Sequence, residues 1–292
     1  MSNLNFPKFR GLSSYQIKLI AVVFMTIDHL AAYGHEVPIF YAHYNLLRTI
    51  GRLAAPLFFF VLTESIAHTR SKPKFLLRLY LAAVGVGLFT TITNFFFGDT
   101  IGSFAHSNIL FDYFYIVLYI IVIEHIICAV KEKSLKHGLF AASILVANVL
   151  VILIGSLLYN LRLPGWDIKY IILFHDFLFS FIASPFGAEY TILFILMGLL
   201  MYFAKTKYGK AAVLVLFSGI CYFGWNFEFL HSSIIGSVIG GTQPYMVFAV
   251  PFILLYNGEK GKGRKYFFYL YYPLHRYAIS IAVYVYRAFY GL

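Results

Sequence analysis

Charge is scarce in this chain: only 12% of its 292 residues are Asp, Glu, Lys or Arg, against 61% that are hydrophobic. A soluble domain cannot hide so much apolar surface, and several apolar runs exceed the roughly 18 residues that cross a bilayer as a helix. A water-soluble fold is thereby excluded. The expected class is an all-α, polytopic transmembrane bundle, one integral-membrane domain over residues 1–292. Acidic residues are scarcer still, 12 against 23 Lys and Arg, for a net charge of +11. In a soluble protein that imbalance would raise nucleic acid as a partner. Here the excess lies between hydrophobic segments, the signature of cytoplasmic loops, so the expected partner is the lipid bilayer and not nucleic acid.

Cysteine is nearly absent. Cys128 and Cys221 both lie inside apolar runs, so there is no disulfide framework and no metal-ligand spacing, and no metal is expected. The Gly-x-Ser-x-Gly and nucleotide fingerprints are missing, and NGEKGKGRK at 257–265 has neither the spacing nor the flanking strand of a phosphate-cradling loop. No fixed-period or inverted repeat is visible. A cleaved leader is not expected either: the first apolar stretch is interrupted by Asp28 and His29 and lacks a small-x-small cut site. It reads as the first permanent helix, with the short basic segment 1–14 in the cytoplasm.

What is present is a series of apolar segments at about 15–34, 48–69, 79–97, 108–130, 138–160, 188–204, 211–230, 243–256 and 266–290. Between them, basic residues gather at 70–78, 131–137, 205–210 and 257–265. These loops share the cytoplasmic side only if an even number of crossings separates 131–137 from 205–210. The sixteen-residue run at 168–183, with His175 and Asp176 at its centre, breaks that parity unless it is re-entrant or interfacial. Nine crossings result, or ten if that run spans. The expected location is the cell (inner or plasma) membrane.

The stretch that organises the chain is YQIKLIAVVFMTIDHLAAYG at 15–34. Lys18 and His29 are eleven residues apart, about 1100° of helix, so they lie on one face about 16 Å apart. An ionisable pair such as Asp28-His29 at bilayer depth costs a few kcal/mol or more, and is expected to face a protein interior or a watery cavity. A neutral imidazole there is a candidate proton acceptor; the plain alternative is a polar contact between helices. Asp28, about 100° round the helix from His29, can orient a partner or pair with Arg48 or Arg52. Those two arginines are one turn apart and suit a shared phosphate, or simple snorkelling at the interface. Arg70, Lys72, Lys74 and Arg78 form a basic loop that fits a polyanion or a topology signal. In the last helix His275 follows Pro273, which frees a carbonyl about one turn back, with Tyr269 and Tyr272 close by.

With these residues in place, the chain resembles the TraX family of membrane acetyltransferases, named for the F-pilin N-acetylase. The resemblance lies in IKLIAVVFMTIDH (17–29), GRLAAPLFFFVLTESIAHTRSKPKFLLRL (51–79), SNILF (107–111) and LLYNGEKGKGRKYFFYLYYPLH (254–275). The family is similar to a wider group that includes acyltransferase family 3 and heparan-α-glucosaminide N-acetyltransferase. Family 3 has an arginine, ten intervening residues and a histidine in its first helix; Lys18 and His29 keep that spacing with lysine in place of arginine, losing bidentate geometry. Asp112 stands where a small polar residue is expected.

The resemblance implies acetyl transfer from cytosolic acetyl-CoA to an amine or hydroxyl acceptor, a pilin-like peptide N-terminus or a cell-surface glycan. It implies His29 as general base with Asp28 holding it. Lys18, Arg48, Arg52, Arg70, Arg78 and Lys265 would bind the cofactor, and Asn108, Tyr269, Tyr272 and His275 would line the substrate pocket. A covalent acetyl-histidine is a variant of the same scheme. The competing classes are a proton-coupled transporter or flippase using Asp28-His29, and a structural membrane subunit.

Overall fold

A computed structural model describes residues 11–102, 104, 108–161, 165–182, 184–185, 188–227, 239–263 and 265–290. It is helical throughout its described elements. Helix α1 is Ser14–Tyr33, and it starts where the sequence says it should: Ser13 caps it and Gln16 reaches back to the Ser13 backbone, a reciprocal capping box. Two short helices follow, α2 (Pro38–Ala42) and α3 (Tyr44–Gly51), then α4 (Ala54–Ala67). Next come α5 (Lys72–Ile101), α6 (Ile109–Lys131), α7 (Leu135–Tyr159), α8 (Ile168–Phe181), α9 (Thr191–Phe203) and α10 (Lys207–Trp225). A 3-10 turn, Gln243–Ala249, runs into α11 (Val250–Leu254), and α12 is Lys265–Tyr290.

Six helical spans among the described residues are long and apolar enough to cross a membrane: 14–33, 44–67, 72–101, 109–131, 135–158 and 207–225. Shorter apolar helices lie at 191–203 and 243–254, and α12 has the length, 26 residues, with a more polar sequence. The chain is thus a multi-pass membrane protein, although these helices alone do not reproduce the nine to ten crossings expected. Helix α7 is the most peripheral. Its apolar residues, Leu139, Val146, Leu153 and Leu157 among them, are mostly exposed, as a helix bordered by lipid on most of its circumference requires.

Basic residues gather at one end of the bundle. Lys72 at the start of α5 bonds Glu124 near the end of α6, and Lys210 in α10 pairs with Glu64 near the end of α4. Lys207 donates to the carbonyls of Leu254, the last residue of α11, and Tyr256 just past it. The backbone of Ser14 and Tyr15 is tied to Glu259 and Lys260. The starts of α1, α5 and α10 and the ends of α4, α6 and α11 therefore share one end, as the charge pattern predicts.

The segment expected to be re-entrant enters and turns back. Helix α8 runs antiparallel to α5: Lys169 lies by Asp99 near the far end of α5, Ser180 meets Thr91, and the Phe181 carbonyl accepts from Tyr80. Fourteen residues reach only about 21 Å, too short to cross. By Tyr190 the chain is back beside Asp112 in the first turn of α6.

The interior is packed with aromatic and branched side chains. Phe59 sits in edge or tilted contact with Tyr113, Tyr190 and Phe194. Gly198 lets α9 approach this cluster, because a Cβ there would run into Ile116 and press on Phe59. Gly198→Val is expected to cost about 1–3 kcal/mol through overpacking, read as a lower melting temperature of the purified protein in detergent. An unchanged melting temperature would mean that α9 does not pack this closely on α6.

Candidate functional site

The site forms where α1, the α3–α4 junction, the loop before α9 and α12 converge. Its base is Asp28. Arg48 Nη1 donates to Oδ2 and Arg52 Nη2 to Oδ1, each at 2.7 Å. Arg52 also donates from Nη1 to Gln243 Oε1 at 3.1 Å, tying the cluster to the 3-10 turn. The two arginines are four residues apart, one on α3 and one just past it, so both reach the same carboxylate. The approach needs Gly51: a Cβ at that position would collide with the Asp28 side chain. Of the alternatives open in the sequence, pairing of Asp28 with Arg48 or Arg52 is realised with both at once. Both carboxylate oxygens are thus engaged by arginine.

His29 faces α12. Its Nδ1 lies 2.5 Å from Nε2 of His275. The rings are within 11° of parallel and their centroids are 4.7 Å apart, a separation that the N···N contact plus two ring radii accounts for. They therefore meet edge to edge in one plane and do not stack. His275 Nδ1 is 2.8 Å from the backbone carbonyl of Tyr271. A carbonyl only accepts, so His275 Nδ1 carries a hydrogen and donates it; with neutral rings its Nε2 then accepts from His29 Nδ1–H. His29 Nε2 is left with its lone pair. Next to this chain the Tyr271 hydroxyl lies 2.6 Å from Thr26 Oγ1, which itself donates to the Val22 carbonyl. The carbonyl that Pro273 deprives of its helical donor is that of Tyr269; His275 engages a different one, Tyr271.

Asp28 and His29 border a cavity of about 20 Å³, room for about one water. Its other polar walls are Glu189, Tyr190 and Tyr272; Met25, Ala54, Ala55, Phe58 and Ile109 supply the apolar ones. Tyr272 accepts from the Ile109 backbone N–H at 3.1 Å and donates to Glu189 Oε2 at 3.1 Å. Glu189 sits on the loop between α8 and α9, outside the spanning helices. Burial raises its carboxyl above the usual carboxylate range, against the opposing charge of Arg276 and the hydrogen bond from Tyr272, and Asp28 adds a smaller rise. Beyond Tyr272 an apolar cleft of about 330 Å³ lies between α5 and α12, lined by Ala82, Val86, Phe89 and Leu110.

The other sequence candidates divide by depth. Lys18 lies with its ammonium 5.6 Å from the Phe268 ring on α12, so it and His29 do share a face, a whole stretch of helix apart. Arg70 and Arg78 are exposed at the basic end, whereas Arg48 and Arg52 are occupied by Asp28. His275 is buried behind His29 and is not on the cavity wall. Asn108 caps α6 from a buried position, with neither amide atom hydrogen-bonded. The side chains of Lys265 and Tyr269 lie outside the described ones. Among the described residues no group of three or more His, Cys, Asp or Glu is placed to hold a metal ion.

Two residues of the site went unread in the sequence. Glu189 is one, an acid on a short loop just ahead of an apolar run. Arg276 is the other: it is buried, donates to Thr90 Oγ1 at 3.0 Å and lies 5.2 Å from the Phe104 ring. The signal was available in both cases, since each is an ionisable side chain flanked by apolar sequence.

Comparison with known proteins gives two matches. The model of the family described as TraX protein covers residues 13–283. A "probable fimbrial assembly protein FimC, serogroup H1" of Dichelobacter nodosus is 26% identical over 270 residues, spanning 90% of this chain and 92% of that protein. No solved structure matches.

Removing the carboxylate from the Asp28 cluster strands two guanidinium groups that are mostly buried. Asp28→Asn is therefore expected to destabilise the protein by roughly 3–5 kcal/mol, more than Arg48→Gln, which leaves the Arg52 contact intact. Thermal unfolding of the three purified proteins checks the order; equal melting points would show that the cluster is not formed in the membrane.

Proposed function

The chain belongs to the TraX family, and on that premise we propose that it is a membrane-embedded acetyltransferase, moving an acetyl group from acetyl-CoA to an amine or hydroxyl acceptor. The observation that carries this reading is the hydrogen-bond chain Tyr271–His275–His29, which leaves His29 Nε2 as a proton acceptor on a small polar cavity. His29 takes the proton from the acceptor's nitrogen or oxygen as that atom attacks the thioester carbonyl carbon. The carbon–sulfur bond then breaks and the CoA thiolate departs. His275 is a positioning residue, which fixes the tautomer and the ring plane of His29. Asp28 positions as well: it clamps α1 to the α3–α4 junction through Arg48 and Arg52 and so sets the direction in which His29 points.

The basic end of the bundle suits the donor. We place it in the cytoplasm together with the N-terminus, because that is where Lys and Arg accumulate in membrane proteins. Arg70, Arg78 and Lys265 are the groups assigned to the CoA phosphates, with Lys18 further along the face that leads to His29. The buried arginines 48 and 52 are committed to Asp28 and fit that role less well. On the acceptor side, the relative's name concerns fimbrial assembly, which favours a peptide amine over a sugar hydroxyl. The apolar cleft beyond Tyr272 suits the hydrocarbon part of an acceptor that resides in the bilayer.

The test uses purified protein in lipid nanodiscs, radiolabelled acetyl-CoA, and membranes from a strain lacking the protein as the acceptor pool. Label is expected to enter a membrane component. His29→Ala should lower the rate by about 10²–10⁴-fold, the usual contribution of a positioned general base, with a smaller loss for His275→Ala. Unchanged turnover in His29→Ala would remove the proposed base. Substrate movement driven by a pH gradient with no thioester consumed would replace the enzyme by a transporter.

A further inference from the structure

Glu189 borders the same small cavity as His29 but comes from a different part of the chain, the loop that follows the re-entrant helix α8. Tyr272 holds its Oε2 at 3.1 Å, and that hydroxyl is itself fixed by the Ile109 N–H at 3.1 Å. The carboxyl is thus held on the cavity wall by a tyrosine that cannot swing without giving up two hydrogen bonds. No cation contacts it within ion-pair distance among the described residues: Asp28 has taken Arg48 and Arg52, and Arg276 bonds Thr90. Two further carboxyls, Asp28 and Asp112, lie within electrostatic reach of it. Burial is the largest influence on the Glu189 carboxyl and makes it keep its proton more readily than a solvated one, outweighing the opposing charge of Arg276 and the hydrogen bonds from Tyr272 and Ile109.

Acyl transfer from a thioester has a second proton to place. The attacking atom loses one, and the departing sulfur gains one before free thiol is released. The lone pair on His29 Nε2 meets the first need. We infer that Glu189 meets the second, as the general acid that protonates the leaving sulfur across the cavity from His29. This rests on the acetyltransferase reading and extends it.

The step balances as follows. The acceptor's lone pair forms a bond to the carbonyl carbon, and His29 Nε2 takes the acceptor's proton. The carbon–sulfur electron pair leaves with sulfur, which receives the proton from the Glu189 carboxyl. The products are the acetylated acceptor, free CoA thiol, an imidazolium and a carboxylate. Proton return from His29 to Glu189, directly or through the one water the cavity can hold, resets both groups. The re-entrant loop thereby has a chemical purpose: it brings an acid to a base that is anchored on the first helix.

The experiment compares donors that differ in how much they need the acid. Acetyl-CoA releases an alkyl thiolate, whereas S-phenyl thioacetate releases an aryl thiolate that departs readily without a proton. Wild type, Glu189→Gln and Glu189→Asp, all in nanodiscs, are assayed with both donors by thiol release and acetyl incorporation. Glu189→Gln should lose about 10²-fold or more in kcat with acetyl-CoA and only a few-fold with S-phenyl thioacetate, and Glu189→Asp should recover part of the acetyl-CoA rate. An equal loss with both donors would assign Glu189 a structural role and overturn the inference, as would full activity of Glu189→Gln with acetyl-CoA. Wild type inert with both donors would instead overturn the acetyltransferase reading itself, and the inference with it.

Discussion

A carboxylate at the depth of Asp28 has to find cations, because in the low-dielectric interior an unpaired charge costs several kcal/mol. Asp28 finds two, Arg48 and Arg52, each at 2.7 Å. That one interaction sets much of what surrounds it. It brings α1 against the α3–α4 junction so closely that only glycine fits at position 51. It also fixes the rotation of α1 about its axis. Neighbouring residues on a helix differ by about 100°, so once Asp28 points at the arginines, His29 is turned toward α12. The ion cluster and the histidine pair therefore require the same rotation of α1.

From there the arrangement follows an ordinary hydrogen-bond logic. The Tyr271 carbonyl determines the tautomer of His275, which determines that of His29. Directionality runs from a backbone acceptor, through two rings, to a free lone pair at the cavity. On the same cavity a tyrosine holds a carboxyl. An imidazole and a carboxyl from remote parts of the chain thus border one small space, while basic residues crowd the far end of the bundle, where Lys72 and Lys210 meet Glu124 and Glu64. That division follows from the membrane itself, since cations stay near water and only neutral or paired groups sit deep.

Several parts of this were legible in advance. Charge parity marked 168–183 as a run that is re-entrant or interfacial unless ten crossings are made, and α8 is a short helix packed along α5. The eleven-residue spacing put Lys18 and His29 on one face, and both meet α12. The four-residue spacing put Arg48 and Arg52 on another, although a phosphate was weighed as the shared partner as well as Asp28. By contrast, Glu189 and Arg276 carried only the general signal of an ionisable side chain flanked by apolar sequence, which does not say what they meet. Their significance depends on what lies across the bundle, Tyr272 for one and Thr90 with Phe104 for the other.

The sequence by itself determined what depends on neighbours along the chain: the helical class, the membrane setting, the end where basic loops gather, and the faces of α1 and α3 that carry ionisable groups. These follow from composition and from the 3.6-residue period, which are local properties. Only the tertiary structure decided which face met which. The His29–His275 contact joins residues 246 apart in sequence, and the Tyr272–Glu189 contact joins residues 83 apart. Helices that are apolar almost all round carry little record of their partners, so those pairings are settled by how the bundle packs around its few buried charges.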